Sequence, residues 1–508
     1  MRLVRFALPA CVLLAACGSG ESILDAGNEP APPPPTAATT IAGPPASTVP
    51  GQTAPSTVPP TIATTTTTPL ADLPPCPVDA LDDATGPVEI TLWYGLSGIL
   101  EGVLTDLTNA YNDSQDKVRV RIENQGGYRE VIDKYTQSRQ RGRPELVIFP
   151  EYTVQQLADS DTVMPVGACI ETGEFDTSEI LSRALLAYQT EGVQWGMPFN
   201  VSVPVLYYNR KLFEDAGLDP DESPVSLDQL RATSQQLVDS GAAGTGIALD
   251  SGVDSGGGWF LEQWFARAGE LYADNENGRV APATRVLYAG PFGVEVMSYV
   301  QALINDGLAV SVGDNPGGQD ALLKLADPAA PAAMAIATSA ALGTVLDALD
   351  GGLIPDLTRD DVGVGPMPGP GETPSATVGG GALYMVADKG DEKAAAAWDF
   401  IQYLVSPETQ SKWASASGYV PVHDGALELD PLRARYRDDP RFKVAYDQVV
   451  AGTDDFAAVG PVIGPLREVR AVTANGVAAI FNGADVASTL ADSAAQSDAL
   501  ITDYNARN

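Results

Sequence analysis

Histidine is almost absent from this chain: His423 is the single one among 508 residues, and it is read as a surface-loop residue rather than a functional base. The four cysteines, Cys11, Cys17, Cys76 and Cys169, are scattered, so no Cys or His group stands at metal-ligand spacing and no metal site is expected. There is no Gly-x-Ser-x-Gly elbow, no His-Glu-x-x-His and no nucleotide-binding loop, so no cofactor is implied. Gly363-Val364-Gly365 suggests a dinucleotide turn, but Pro366 and Pro368 would spoil the helix such a turn must open. After the N-terminal segment nothing approaches the roughly 18 continuous apolar residues of a membrane span. Bases are scarce as well. Lys and Arg number 30 against 66 Asp and Glu, a net charge of −36, and a surface of that average composition repels nucleic acid and anionic lipid head groups. A pair of carboxylates acting on a glycan is the one catalytic arrangement that so many acids leave open.

What is present begins with an export signal. Arg2 and Arg5 precede the apolar stretch Phe6 to Leu14, too short to span a bilayer, and Leu14-Ala15-Ala16-Cys17 supplies small residues at a cleavage point. Those four residues resemble a bacterial lipobox, so 1–17 is read as a lipoprotein signal peptide with Cys17 the lipidation site. The remainder is then extracytoplasmic, lipid-anchored to the cell membrane. An ordinary signal peptide cut nearby is the alternative. Residues 18–80 read as a Pro/Thr-rich disordered tether: Pro32-Pro33-Pro34-Pro35, Thr64 to Thr68 and Pro74-Pro75 cannot bury a core. About 45 such residues, at about 3.1 Å each in polyproline geometry, reach on the order of 140 Å. Outside the cytoplasm Cys76 and Cys169 form a candidate disulfide, with two unpaired thiols as the alternative.

The folded part opens near Gly86, and a hydrophobic content of 44% suffices for two lobes with separate cores. Val88 to Trp93 alternates as a strand. A helix over 100–111, a strand at Val118–Ile122, a helix at Tyr128–Arg139 and an apolar strand at Leu146–Phe149 follow. That alternation predicts an α/β fold with parallel pairing, in which ligands collect beyond the carboxyl ends of the strands. Trp93, Gly126-Gly127-Tyr128 and Glu151-Tyr152 fall at or just past those ends; Trp93 and Trp195 fit either a cleft wall or the core. Ser226 to Gln229 is a capping box for a helix through Leu237, Lys393 to Val405 is strongly helical, and Ser406-Pro407-Glu408 opens another helix. The end of the chain, from about Leu466, is Ala-rich and helical.

Several stretches occur together in a recognisable order. They are Met197-Pro198-Phe199-Asn200-Val201-Ser202-Val203-Pro204-Val205-Leu206-Tyr207-Tyr208-Asn209-Arg210, Val362 to Pro368, the turn Gly379-Gly380-Gly381-Ala382-Leu383, and Ser417-Gly418-Tyr419-Val420-Pro421-Val422. Over roughly residues 87–508 they resemble the extracellular solute-binding proteins, family 1, of ABC importers, of the carbohydrate and glycerol-3-phosphate type. The resemblance implies a two-lobed periplasmic-binding-protein-like α/β fold with a hinge and an interlobe cleft. Lobe 1 is expected over about 87–200 plus 331–385 and lobe 2 over about 201–330 plus 386–508. It implies no enzyme activity, a carbohydrate or glycerol-phosphate ligand, and ABC permease subunits as partners, with the membrane reached through Cys17 and no nucleic acid. Residue by residue it points to Tyr128, Glu151, Ser202, Trp259, Ser339, Gly380 and Tyr419 as ligand-binding. Trp264 is expected in the core. Glycerol-phosphate binders of this kind use an arginine late in the chain, where this sequence has Val462. Arg467 and Arg470 are the nearby candidates for phosphate, or else an exposed helix face, so the expected ligand leans to a neutral sugar or oligosaccharide. Glycerol-3-phosphate or a glycerophosphodiester stays as the alternative. A stalked surface adhesin and a glycan-active enzyme are the readings from other classes.

Overall fold

The computed structural model describes Leu73 and residues 75–508 apart from 316–317, 355–356 and 372. The expected signal peptide, Cys17 and most of the tether lie outside the described residues.

The first half of the chain lays down β1 (Val88–Tyr94), β2 (Val118–Asn124), β3 (Leu146–Pro150), β4 (Val163–Met164), a small hairpin of β5 (Gln189–Thr190) and β6 (Val193–Gln194), and β7 (Met197–Ser202). After Val203 come β8 (Pro204–Asn209), β9 (Thr245–Asp250), β10 (Ala309–Gly313), β11 (Ala332–Thr338) and β12 (Val362–Pro366), and the last strand is β13 (Gly379–Val386). One sheet runs β2-β1-β3-β13-β4, with β7 also paired to β13; the other runs β10-β9-β11-β8-β12. As the alternation predicted, β1 pairs in parallel with both β2 and β3. The strand pattern explains the layering: β3 is buried throughout, as suits an interior strand. The edge strand β2 instead alternates, with Val118 and Val120 inward and Arg119 and Arg121 outward.

The lobe boundaries differ from expectation in the return segment. Residues 331–378 were expected in the first lobe, yet β11 and β12 pair with β8 in the second sheet. Only β13 rejoins the first sheet, against β3 and β7. The opposite correction applies after residue 386, because the helix Asp391–Val405 packs on β1, β7 and β13. The reason lies in alternation: apolar runs such as Ala332-Ala333-Met334-Ala335-Ile336 are buried on both faces in either sheet, so their pattern does not say which sheet they enter. The Gly363-Val364-Gly365 segment is strand β12 and opens no helix.

Cap chemistry matches local geometry. The Ser226 hydroxyl accepts the Gln229 N–H at 3.2 Å, opening the helix Leu227–Asp239, and the Ser406 hydroxyl accepts the Thr409 N–H at 3.3 Å ahead of Pro407–Ser417. His423 sits in a loop, where its Nδ1 accepts the Gly425 N–H at 3.1 Å. Cys76 and Cys169 are joined by a disulfide across 93 positions of sequence, fixing the start of the described chain to the helix Val166–Thr172. Closing a loop of that size restricts the unfolded chain, so Cys169→Ala is expected to lower stability by about 2–4 kcal/mol. Denaturant unfolding of oxidised and reduced protein checks this; equal midpoints would refute it.

Candidate functional site

Two glycine-rich turns shape the cleft between the sheets. In β13, Gly379 to Gly381 lie where a Cβ would collide with the Trp259 ring (2.3 Å), the Asn200 carbonyl (2.0 Å) and the Asn200 side-chain oxygen (2.7 Å). Their bareness lets an indole from one lobe rest on a strand of the other. In the second lobe, a Cβ on Gly257 would meet the Ser251 carbonyl at 2.2 Å and Ala474 Cα at 2.7 Å. The helices Trp259–Ala268 and Leu466–Phe481 can therefore approach closely, which sets Arg470 beside Glu262.

Arg470 is the centre of the arrangement. It is 2% exposed, its Nε donates to Glu262 Oε1 at 2.7 Å and its Nη2 to Glu262 Oε2 at 2.8 Å. The same Nη2 donates across the cleft to Glu151 Oε1 at 2.9 Å, and the guanidinium lies 5.1 Å from the centre of the Tyr152 ring. Burial works against its charge, but Glu262 and Glu151 outweigh that and hold Arg470 protonated well beyond its ordinary range. Burial pushes the Glu151 carboxyl up to about 7, with Arg470 opposing and Glu262 adding to the rise. A second buried arginine, Arg279, donates to the carbonyls of Gly460 (2.8 Å) and Leu186 (2.7 Å), and burial pulls its pKa down to about 9. Beside these groups the closed cleft leaves a cavity of about 10 Å³, the room of a single water. Anything larger than a water can enter only if the two lobes part.

The aromatic side of the cleft is formed by Tyr128, Tyr188, Tyr419 and Trp259. Asn200 Nδ2 donates to the Tyr128 hydroxyl at 2.6 Å, and the Tyr419 ring stacks on Trp413 with centres 5.4 Å apart. Burial raises the Tyr128 phenol well above its usual range, helped by nearby Tyr419 and resisted by the Asn200 bond. Among the described residues, the buried Trp259 Nε1, Asn200 Oδ1 and Tyr188 hydroxyl have no hydrogen-bond partner. Buried polar atoms of that kind want partners, and three of them line one cleft.

The structure thus gathers Tyr128, Glu151, Trp259, Gly380, Tyr419 and Arg470 around the crossing strands. Ser202 is the buried end of β7, paired to Gly379. Ser339 is occupied at the hinge: its N–H donates to the Val203 carbonyl at 2.8 Å and its hydroxyl accepts the Val203 N–H at 3.4 Å. Arg470 is no exposed helix face, and it has no free fork for phosphate because Glu262 and Glu151 occupy it. Arg467 pairs with Asp133 at 3.2 Å at the rim. Val462 is buried, its N–H donating to the Asn277 carbonyl at 2.8 Å. Trp264 is buried and donates to the Pro368 carbonyl at 2.9 Å, as expected of a core residue. Trp93 lines a depression on the outer side of the first sheet, and Trp195 another near Pro165. Sequence reasoning passed over Glu262, Arg279, Asn200 and Tyr188. Glu262 carried a signal: an acid within Trp259-Phe260-Leu261-Glu262-Gln263-Trp264-Phe265 must find a buried cation.

Glu151 is held against Arg470 of the other lobe, so parting the lobes would return it to water and couple its protonation to the hinge. A carboxyl near 4.5 in water and about 7 when closed makes the closed form bind more protons between those values. Closure therefore strengthens as pH falls through about 7 and weakens as pH rises through it. Small-angle scattering of ligand-free protein from pH 8 to pH 5.5 is expected to show contraction toward low pH, absent in Glu151→Gln; an unchanged radius in the wild type would refute the coupling.

Two α/β lobes with a crossing at Val203, a return at β13 and a charged pair bridging the gap define a class: two-lobed proteins that shut over a small solute. Residues 106–444 match the family of bacterial extracellular solute-binding proteins, and the chain belongs to it. It is similar to the sn-glycerol-3-phosphate-binding periplasmic protein UgpB of Rhizobium meliloti, 25% identical over 423 residues, covering 81% of this chain and 93% of that protein. Its fold is that of a cyclic alpha-maltosyl-1,6-maltose binding protein from Arthrobacter globiformis (TM-score 0.67, 21% identity, 82% of this chain and 100% of the other). It is also that of UgpB from Mycobacterium tuberculosis in complex with glycerophosphocholine (TM-score 0.66, 20% identity, 83% and 99%).

Proposed function

We propose that this chain is the extracytoplasmic, lipid-anchored substrate-binding component of an ABC importer, capturing a sugar or oligosaccharide by hinge closure and delivering it to the permease. The reading is non-enzymatic. The observation that carries the choice of ligand is the double neutralisation of Arg470 by Glu262 and Glu151. An anion entering the cleft would have to displace carboxylates from the guanidinium, and Arg279 is committed to backbone carbonyls. A neutral polyol needs neither. It offers C–H faces to Trp259 and Tyr419 and hydroxyls to Glu151, Asn200 and the tyrosine hydroxyls. Ligand that touches both lobes is bound fully only when they are shut, so its binding energy shifts the population to the closed form.

A glycerophosphodiester with a cationic head is the second reading. The observation favouring it is the acidic, aromatic wall of Glu151, Tyr128 and Tyr188, which suits a quaternary ammonium. The similarity to proteins named for glycerol-3-phosphate and solved with glycerophosphocholine supports it too. Free glycerol-3-phosphate has the phosphate without the cation and fits least.

A thermal-shift screen separates these readings. Maltose and longer glucans, pentoses and polyols, glycerol-3-phosphate and glycerophosphocholine are tested in parallel against the purified chain. A ligand at 100 times its Kd adds about 2.7 kcal/mol to stability, enough for a clear rise in Tm. A sugar response supports the first reading, and a response to glycerophosphocholine alone replaces it with the second. A response to none of them, with binding to cell-wall glycan, would favour a surface adhesin.

A further inference from the structure

The average charge of this protein conceals a strong local exception. Residues 117–143 hold eight of the chain's 30 Lys and Arg residues and three of its 66 acids. The fold gathers these bases on the first lobe. Arg119, Arg121, Arg143 and Lys393 line a depression of about 570 Å³ over the outer face of β1 and β2. Lys134 lies 4.0 Å above the ring of Trp93, which lines the same depression, and Arg141 stands exposed beside it.

Three acids share the depression, and two are already engaged. Glu123 accepts from Trp93 Nε1 at 2.8 Å and pairs with Arg121 at 3.0 Å. Glu145 accepts the Thr91 N–H at 2.9 Å and pairs with Lys393 at 2.8 Å, and Glu89 is exposed. Among the described residues, Arg119, Lys134, Arg141 and Arg143 have no carboxylate partner within ion-pair distance. In a chain with more than twice as many acids as bases, leaving four neighbouring cations unpaired is contrary to what random placement would give. Arg119 is spent on the Asn112 carbonyl at 3.2 Å and Arg143 on the Tyr135 carbonyl at 3.0 Å, so the guanidinium charge of each is uncompensated.

We infer that this basic face of the first lobe docks on anionic phospholipid head groups, a function separate from whatever the cleft binds. The composition alone argued against anionic lipid, but screening sets the relevant scale. At physiological salt the Debye length is about 8 Å, so acids on the far side of the molecule are screened while the patch itself is felt. Its setting also fits a bilayer. The exposed cations surround Trp93, itself buried, and are not arranged around an apolar groove, which matches a surface that meets lipid head groups by charge.

The test uses the full chain carrying Cys17→Ser, which cannot be lipidated, in sedimentation with vesicles of phosphatidylcholine alone or with 30% phosphatidylglycerol, at about 50 and 300 mM NaCl. Binding is expected only with phosphatidylglycerol, weakened by salt, and about tenfold weaker or more in Arg119→Ala/Lys134→Ala/Arg141→Ala. The comparison variant Lys211→Ala/Lys412→Ala/Arg433→Ala, with exposed bases elsewhere, keeps wild-type binding. Because both variants carry the same leader as the parent, apolar insertion by residues 1–16 cancels. Equal binding to the two vesicle types, or a triple variant on the basic face that binds like the parent, overturns the inference. So does capture of soluble glycerophosphoglycerol without vesicle binding, which would make the depression a small-anion site. A basic-face variant that keeps vesicle binding but loses solute uptake in cells would assign the face to a protein partner and overturn it equally.

Discussion

Replacing Arg470 with alanine is expected to lower the unfolding free energy by about 3–5 kcal/mol, the largest effect of any single substitution in the cleft. Arg470 and Glu262 are each 2% exposed, and the guanidinium satisfies both Glu262 oxygens. Removing it leaves one carboxylate buried without a counter-charge and frees Glu151 from its partner across the cleft. The cost arises from the stranded acid more than from the worth of the pair. Arg470→Met/Glu262→Met, which removes both charges and keeps volume, should therefore recover most of the loss. Arg470→Lys should recover only part, because an ammonium cannot present the fork that reaches Glu262 twice and Glu151 once. Chemical denaturation of the four proteins measures all of this. An alanine variant within about 0.5 kcal/mol of wild type, the range of an ordinary surface change, would show that the triad is not buried in solution.

The second large effect concerns Trp259. Its ring rests on the bare Gly379 backbone, and its Nε1 is buried with no partner among the described residues. Trp259→Phe keeps a smaller aromatic ring there but removes the donor and the fused-ring atoms that face Gly379. For the sugar that raises Tm in the screen, affinity is expected to fall about 5- to 100-fold, the consequence of leaving a ligand oxygen unpaired in a dry cleft. The ligand-free Tm should fall only modestly, from the packing lost against Gly379. Titration calorimetry beside a melting curve separates the two. A variant that binds as well as wild type would take the indole N–H out of recognition, and one that melts much lower would make Trp259 a packing residue.

The fold was legible because its signals are local. The strand of Val88 to Trp93, the apolar Leu146 to Phe149, the Ser226 capping box and the Ser406-Pro407 helix start each depend on neighbours within a few positions. Lobe membership was not, because β11 and β13 are both apolar strands with buried sides and nothing within them names the partner strand. The candidate site divides in the same way. Tyr128 and Glu151 follow strand ends and Trp259 follows three glycines, so chain position marks them. Arg470, left between a phosphate ligand and an exposed helix face, is neither, since its burial and pairing depend on Glu262, 208 positions earlier, and on Glu151, 319 positions earlier.

Composition by itself set out an acidic chain with enough apolar residues for two lobes and little His or Cys; residue order placed the strands and helix caps of an α/β fold, and the family resemblance implied the two lobes and the binding turns. Those properties follow from hydrophobic period, glycine and proline positions and cap residues, all short-range. The tertiary structure alone decided which cation sits in the cleft, which carboxylates neutralise it, and that Lys393 joins Arg119, Arg121 and Arg143 around one depression on a protein of net charge −36. Pairing and screening act through space over a few ångströms, and only the folded backbone brings residues hundreds of positions apart within that distance.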